Sequence, residues 1–173
     1  MARRAVVLGS SRPGRRGKAV ADWVYEQAAK RTDAQFELVD VADFGLPLLD
    51  EPLQPSLGHY REEHTKARAE AIGSVDGYVF VTAEYNHSVP AALKNALDFL
   101  YREWNNKAAG FVSYGGTGGT RAVGVLRCPG ENWECASDTG RTIRGPAKRV
   151  KGYPVRVEGE LVVLELPDRG SEA

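Results

Sequence analysis

Residues 78–100 constrain the fold of this chain most. Tyr78-Val79-Phe80-Val81-Thr82 is an unbroken apolar and β-branched run, the pattern of a strand buried on both faces. It leads through a polar loop, Glu84-Tyr85-Asn86-His87-Ser88, into Leu93, Ala96, Leu97 and Leu100, which share one helical face. Pro90 fits the first turn of that helix, where a missing N–H costs nothing. A polar loop between a buried strand and a helix is where open α/β sheets receive ligands. Two more loops of this kind occur, at residues 9–17 and 113–119. Together they predict one composite pocket at one edge of a sheet.

The rest of the chain up to Leu126 agrees with such a sheet. Residues 5–8 read as a short central strand, and Val20, Trp23, Val24 and Ala28 as the buried face of the helix after it. Phe36, Leu38 and Val41 suggest a second strand. Residues 43–58 carry three prolines and read as a long loop, and residues 60–72 read as an exposed helix. Residues 75–82 form the third strand, 108–114 the fourth, and a fourth helix starts at Thr120. Alternation of this kind favours a parallel sheet with helices on both faces. After Leu126 the character changes. Cys128-Pro129-Gly130 stops the fourth helix, residues 128–152 have no clear period, and residues 155–157 and 161–166 suggest a hairpin. A fifth parallel strand is not evident.

A length of 173 residues suits a single domain, 1–173, of which 128–173 is atypical. Lys and Arg number 23 and Asp and Glu 23, so the formal net charge is zero. That argues against nucleic-acid or membrane-surface binding driven by bulk charge. No apolar stretch approaches the roughly 20 residues that span a bilayer, and the apolar run at the start is short for a signal peptide. Two cysteines make no disulfide framework, so the expectation is a cytoplasmic protein.

Gly9-Ser10-Ser11-Arg12-Pro13-Gly14-Arg15-Arg16-Gly17-Lys18 combines glycines, hydroxyls and four cations between a strand and a helix. The glycines permit close backbone approach, the hydroxyls of Ser10 and Ser11 and the helix N–H groups can donate to an anion, and Arg12 can grip phosphate oxygens. A Walker loop is excluded because Arg15-Arg16 follow Gly14, and the dinucleotide Gly-x-Gly-x-x-Gly pattern fails at Ser10-Ser11. The loop suits a mononucleotide phosphate. Glu84, Tyr85, Asn86, His87 and Ser88 offer in-plane donors and an aromatic face, as a heteroaromatic ring such as isoalloxazine requires. Ser113, Gly115, Gly116 and Gly118 supply unhindered backbone for another edge of the ring. His87 has no evident carboxylate partner in sequence and is not assigned a proton-transfer role.

These three motifs resemble the NADPH-dependent FMN reductase family of flavodoxin-like quinone, azo and chromate reductases. The matching residues are Gly9-Ser10-Ser11-Arg12-Pro13-Gly14-Arg15, then Glu84-Tyr85-Asn86-His87-Ser88-Val89-Pro90 with Leu93-Lys94-Asn95-Ala96-Leu97-Asp98, and Tyr114-Gly115-Gly116 with Gly118-Gly119. The resemblance covers residues 4–126. It implies a doubly wound flavodoxin-like sheet of order 2-1-3-4, to which the family adds a fifth strand. It implies FMN with its phosphate at Ser10 and Arg12, near Gly9, Gly17 and Lys18, and its ring against residues 84–88 and 113–118. NAD(P)H would pass hydride to flavin N5, and a quinone, flavin or similar small acceptor would take the electrons. No catalytic side chain and no metal are implied. A homodimer or homotetramer is implied as well, with Leu100, Tyr101 and Trp104 as candidate contacts. Ala83 stands where the family usually has Pro, and His87 where Gly is common.

Other readings use fewer residues. A flavodoxin-type electron carrier would share fold and cofactor but lack a nicotinamide site; strong negative charge is frequent there and absent here. Cys135 and Arg141 match the Cys-x5-Arg spacing of cysteine phosphatases, but the sequence before Cys135 has no strand pattern. Zinc at Cys128 and Cys135 lacks further ligands.

Overall fold

A computed structural model describes residues 1–126 and, beyond them, four short strands. The chain divides into two units, Met1–Leu126 and Arg127–Ala173. In the first unit the order is β1 (Ala2–Leu8), α1 (Gly17–Ala29), β2 (Ala34–Asp40), α2 (Glu63–Gly73), β3 (Gly77–Ala83), α3 (Ala91–Asp98), β4 (Ala108–Tyr114) and α4 (Thr120–Leu126). Short 3-10 turns at Val41–Phe44, Pro55–Leu57 and Arg102–Trp104 punctuate the connections. The four strands form one parallel sheet in the order β2-β1-β3-β4, which is the flavodoxin-like arrangement.

The central strands explain why the sheet forms. Ala5, Val6, Val7 and Leu8 of β1 have no exposed surface. Their side chains alternate between two cores, as the twofold period of a strand requires. Val6 and Leu8 join Val81, Ala21 and Val24 under α1. Ala5 and Val7 join Tyr78, Phe80, Ile72, Leu93, Ala96, Phe99, Leu100, Ala122 and Leu126 on the other face, which α2, α3 and α4 cover.

Two helices differ from expectation. In α1 the buried residues are Gly17, Ala21 and Val24, while Trp23 is 42% exposed. At 100° per residue Trp23 points roughly 120° away from the Gly17 direction, whereas Ala21, Val24 and Ala28 stay within about 40° of it. Small residues on that stripe let α1 lie close to the sheet. The helix expected to be exposed, α2, buries Thr65, Arg68 and Ile72 at i, i+3 and i+7.

Arg68 is fully buried. Its Nε donates to the Ala96 carbonyl of α3 at 3.0 Å, and its guanidinium lies 5.1 Å from the Phe44 ring and 5.9 Å from the Trp104 ring. The two terminal nitrogens have no hydrogen-bond partner among the described residues. Burial pushes the guanidinium pKa down to about 10. The cation is thus held by ring faces in place of a carboxylate.

In the second unit β5 (Glu134–Cys135) pairs antiparallel with β6 (Thr142–Arg144). The hairpin expected around 155–157 and 161–166 is present as β7 (Val155–Glu158) and β8 (Leu161–Leu164), with Val155 opposite Leu164. No fifth strand joins the parallel sheet among the described residues. Cys128-Pro129-Gly130 and residues 136–141 lie outside the described residues. The chain after Cys135 next becomes a strand, β6, whereas a phosphatase cradle requires a helix there.

Replacing Arg68 by Ala is expected to cost about 2–4 kcal/mol, the range for emptying a core position. Arg68→Met keeps the stem and removes the buried charge, so it should cost less than about 1.5 kcal/mol. Urea denaturation of the two variants checks this; equal losses would mean that the bond to Ala96 sets the stability.

Candidate functional site

The loops after β1, β3 and β4 leave the same edge of the sheet, because these strands are parallel and adjacent. In the first loop Gly9 donates from its N–H to the Val81 carbonyl at 2.9 Å, so the chain stays on the sheet one residue past β1. Ser10 is fully buried, with its hydroxyl 3.4 Å from the Tyr114 hydroxyl. Gly17 packs against both: a Cβ there would sit 2.5 Å from the Tyr114 hydroxyl and collide with Ser10 Oγ and Leu8. The start of α1 therefore rests directly on the sheet edge, and only glycine permits it.

The four cations of this loop have separate duties. Arg15 is mostly buried and forms a two-pronged pair with Asp40 at the end of β2, including a 2.9 Å bond to Asp40 Oδ1, and also donates to the Ser10 carbonyl. Asp40 in turn accepts from the Ala42 N–H at 3.0 Å. Lys18 pairs along the helix with Asp22 at 2.5 Å. Arg12 and Arg16 are exposed, as are Ser11 and Gly14. The Arg12 carbonyl accepts from the Arg15 N–H at 3.0 Å, while the Arg12 guanidinium has no hydrogen-bond or ion-pair partner among the described residues. The first loop thus offers Ser11 and Arg12 outward, while Ser10, predicted to contact phosphate, turns inward as part of the support.

The second loop is a tight turn. Tyr85 and Ser88 exchange both backbone hydrogen bonds at 3.0 Å, and the residues between them, Asn86 and His87, have φ of 49° and 65°. Two left-handed residues in a two-residue connection make a type I′ turn, which favours Asn first and Gly second. Asn meets this preference and His87 does not. The turn projects from the sheet: Tyr85 is 37% exposed, and Asn86 and His87 are exposed.

Glu84 lies at the root of this turn. Its N–H donates to the Tyr114 carbonyl at 3.1 Å. Its side chain is only 7% exposed and accepts from the Arg121 N–H and from Arg121 Nη1, both at 3.0 Å. Burial pushes the carboxyl pKa up, but the Arg121 side-chain and backbone hydrogen bonds outweigh it and hold it below 4.5. The Glu84 side chain is therefore spent inside the protein, and sequence reasoning missed Arg121 and Thr117 as its partners. The one sequence cue was a cation just after the glycine run.

In the third loop Ser113 Oγ donates to the Gly118 carbonyl at 2.7 Å, and the Gly118 N–H to the Gly115 carbonyl at 3.1 Å. Gly119 has φ 76°, and a Cβ there would lie 2.7 Å from that of Ser113, so this glycine is required twice over. Gly115, Gly116 and Gly118 are exposed, and a Cβ on Gly116 would meet nothing within 4 Å among the described residues. The contacts of Ser10 with Tyr114 and of Glu84 with Arg121 tie all three loops together at the carboxyl edge. Two concavities elsewhere, one bordered by Arg4, Arg31 and Phe36 and one by Val39, Phe44 and Glu70, include no residue of these loops. No group of three or more metal-ligating side chains occurs among the described residues. No described helix is long and apolar enough to cross a membrane.

The sequence model of the NADPH-dependent FMN reductase family matches residues 3–133, which include all three loops. The chain belongs to the NADPH-dependent FMN reductase family. It is 48% identical over 124 residues to an NAD(P)H-dependent FMN reductase of Schizosaccharomyces pombe, across 70% of this chain and 62% of that one. It is 36% identical over 122 residues to a quinone reductase of Escherichia coli K12, again across 70% and 62%. The match thus spans less than two thirds of either relative's length. The solved structure of a flavoenzyme NAD(P)H:(acceptor) oxidoreductase from Paracoccus denitrificans is similar with a TM-score of 0.59 and 25% identity, covering 73% of this chain and 69% of that one.

Within this family frame His87 departs from Gly at a left-handed position. His87→Gly is expected to raise stability by roughly 0.5–1 kcal/mol, the left-handed penalty less the entropy cost of glycine. Chemical denaturation reads this directly, and a loss would mean the imidazole makes up for its backbone. Glu84 generates a pH effect. Because its folded pKa is lowered, its contribution is complete above about 4.5 and disappears as the pH falls through the folded value. The Tm advantage of the native protein over Glu84→Gln should therefore be larger at pH 7 than at pH 3.

Proposed function

We propose that this chain binds FMN at the carboxyl edge and acts as an NAD(P)H-dependent oxidoreductase on small acceptors such as quinones or free flavin. The observation that carries the reading is the joining of three polar loops, Ser10 to Tyr114 and Glu84 to Arg121, at one sheet edge in a chain of this family. The residues present fit the cofactor. Ser11 and Arg12 are exposed in the loop that leads into α1, whose first N–H groups would add to an anion site. The open backbone at Gly116 leaves room for a flat ring edge.

FMN, when bound, supplies the two-electron chemistry between NAD(P)H and the acceptor. Arg12 holds the phosphate. The exposed Tyr85 ring would shield part of a bound flavin from water, and Asn86 would donate to it. Gly9, Gly17 and Lys18 shape the first loop, and Ser113, Gly115 and Gly118 shape the third. His87 serves the turn, and no proton is routed through it.

The protein is further proposed to be cytoplasmic, on its two cysteines, and to assemble as a homodimer or homotetramer. Leu48 is 85% exposed, and Leu49, Leu53, Leu57 and Tyr101 are exposed too. Asn95 and Arg102 hold residues 47, 49 and 56 against α3 and the turn after it. Leu100 and Trp104 belong to the core and its border instead. Sedimentation as a monomer would overturn the assembly.

Purified protein mixed with FMN should keep shifted flavin absorbance through desalting and should oxidise NAD(P)H when a quinone is added. Loss of all flavin on desalting overturns the reading, and bound flavin without turnover supports a flavodoxin-type carrier instead. Arg12→Ala should weaken FMN by about 1.5–3 kcal/mol, the worth of a hydrogen bond to a charged group. Gly116→Ala should weaken FMN while leaving the melting temperature unchanged, because a Cβ there meets nothing within 4 Å among the described residues.

A further inference from the structure

The Glu84 side chain is only 7% exposed, and its bonds go to the third loop and to the first turn of α4 that follows it. Its N–H reaches the Tyr114 carbonyl at 3.1 Å. One carboxylate oxygen accepts from the Arg121 N–H at 3.0 Å, and the other from Arg121 Nη1 at 3.0 Å with Thr117 Oγ1 3.5 Å away. Thr117 Oγ1 also accepts from Arg121 Nη1 at 3.1 Å. Gly115 gives the carboxylate stem its space, since a Cβ there would come within 3.2 Å of Glu84 Cβ. These contacts bracket the glycine run from residue 114 to residue 121.

We infer that Glu84 and Arg121 form a clamp that fixes the third loop against the Tyr85–Ser88 turn and so sets the gap into which the flavin ring fits. Glu84 is then a positioning residue, acting through Arg121 and Thr117, and not a ligand of the ring. The physical reason is rigidity. The run Gly115-Gly116-Thr117-Gly118-Gly119 contains four glycines in five residues, and glycine loses more backbone freedom on ordering than any other residue. A mostly buried carboxylate that takes two charge-assisted bonds from one arginine, one from its backbone N–H and one from its guanidinium, supplies the restraint such a segment lacks. The cost of ordering the loop is met before any ligand arrives, and ligand affinity gains accordingly.

The inference rests on the flavin reading, yet the clamp has a readout without flavin. In FMN-free protein the amides of residues 115–121 should exchange hydrogen slowly, and Glu84→Ala and Arg121→Ala should each speed them by about tenfold or more while β1 and β3 stay protected. FMN titrations of the same variants should show about tenfold weaker binding, and the double variant should be no weaker than either single one. Arg121→Lys, which keeps the backbone donor and the charge, should recover part of the affinity. Arg121 is 46% exposed in its side chain, so its variants test the clamp even where Glu84→Ala fails to fold. Unchanged exchange in Arg121→Ala, or additive losses in the double variant, would overturn the clamp. Native protein with slow loop exchange and no FMN affinity would sink the flavin reading and leave the clamp standing.

Discussion

Parallel pairing of β1 with β3 and of β3 with β4 brings three chain exits to one edge, spaced by neighbouring strands. That spacing comes from backbone hydrogen bonding and not from any loop residue. Register fixes it: Val6 lies opposite Val79, and Val79 opposite Gly110, so the loops begin at similar heights. The apolar alternation of β1 and β3 between two cores locks this register, because a one-residue slip would turn each side chain to the wrong face. The loops can be polar and glycine-rich because the strands beneath them are not.

Within that frame the first loop separates structural from available charge. Arg15 is consumed by Asp40, which joins the first loop to the end of β2. Asp40 also caps the turn that follows it. One ion pair therefore restrains two connections, and its partial burial leaves it less screened by salt than a solvated surface pair. Arg12 sits on the same loop without such a duty. A local excess of positive charge is thus presented at the edge of a chain whose formal net charge is zero.

Much of this was legible in the sequence, for physical reasons. The buried runs at 5–8 and 78–82 can be satisfied only by central strands, and they were. The positions of the three loops follow from where those runs stop. Side-chain roles inside the loops were less legible. Ser10 and Ser11 look alike in sequence, yet Ser10 is buried with its hydroxyl near that of Tyr114 while Ser11 is exposed. Glu84 reads as a ligand in sequence because it abuts Tyr85 and Asn86, whereas the partner its side chain meets in the structure, Arg121, lies 37 residues away, beyond any local pattern. Trp23 and Arg68 misled in opposite senses: a large aromatic was left outside while an arginine was packed between two rings. Hydrophobic period alone does not anticipate either, since helix direction and ring stacking decide them.

The contact of α1 with the sheet edge also limits how this chain can diverge. Position 17 touches Ser10, Tyr114 and Leu8 at once, so a side chain there displaces three neighbours from two strands and a loop. Sequence drift at 17 is therefore not independent. A lineage that lost this glycine would need compensating shrinkage at 10 and 114, and intermediates carrying one change alone would pass through a poorly seated helix.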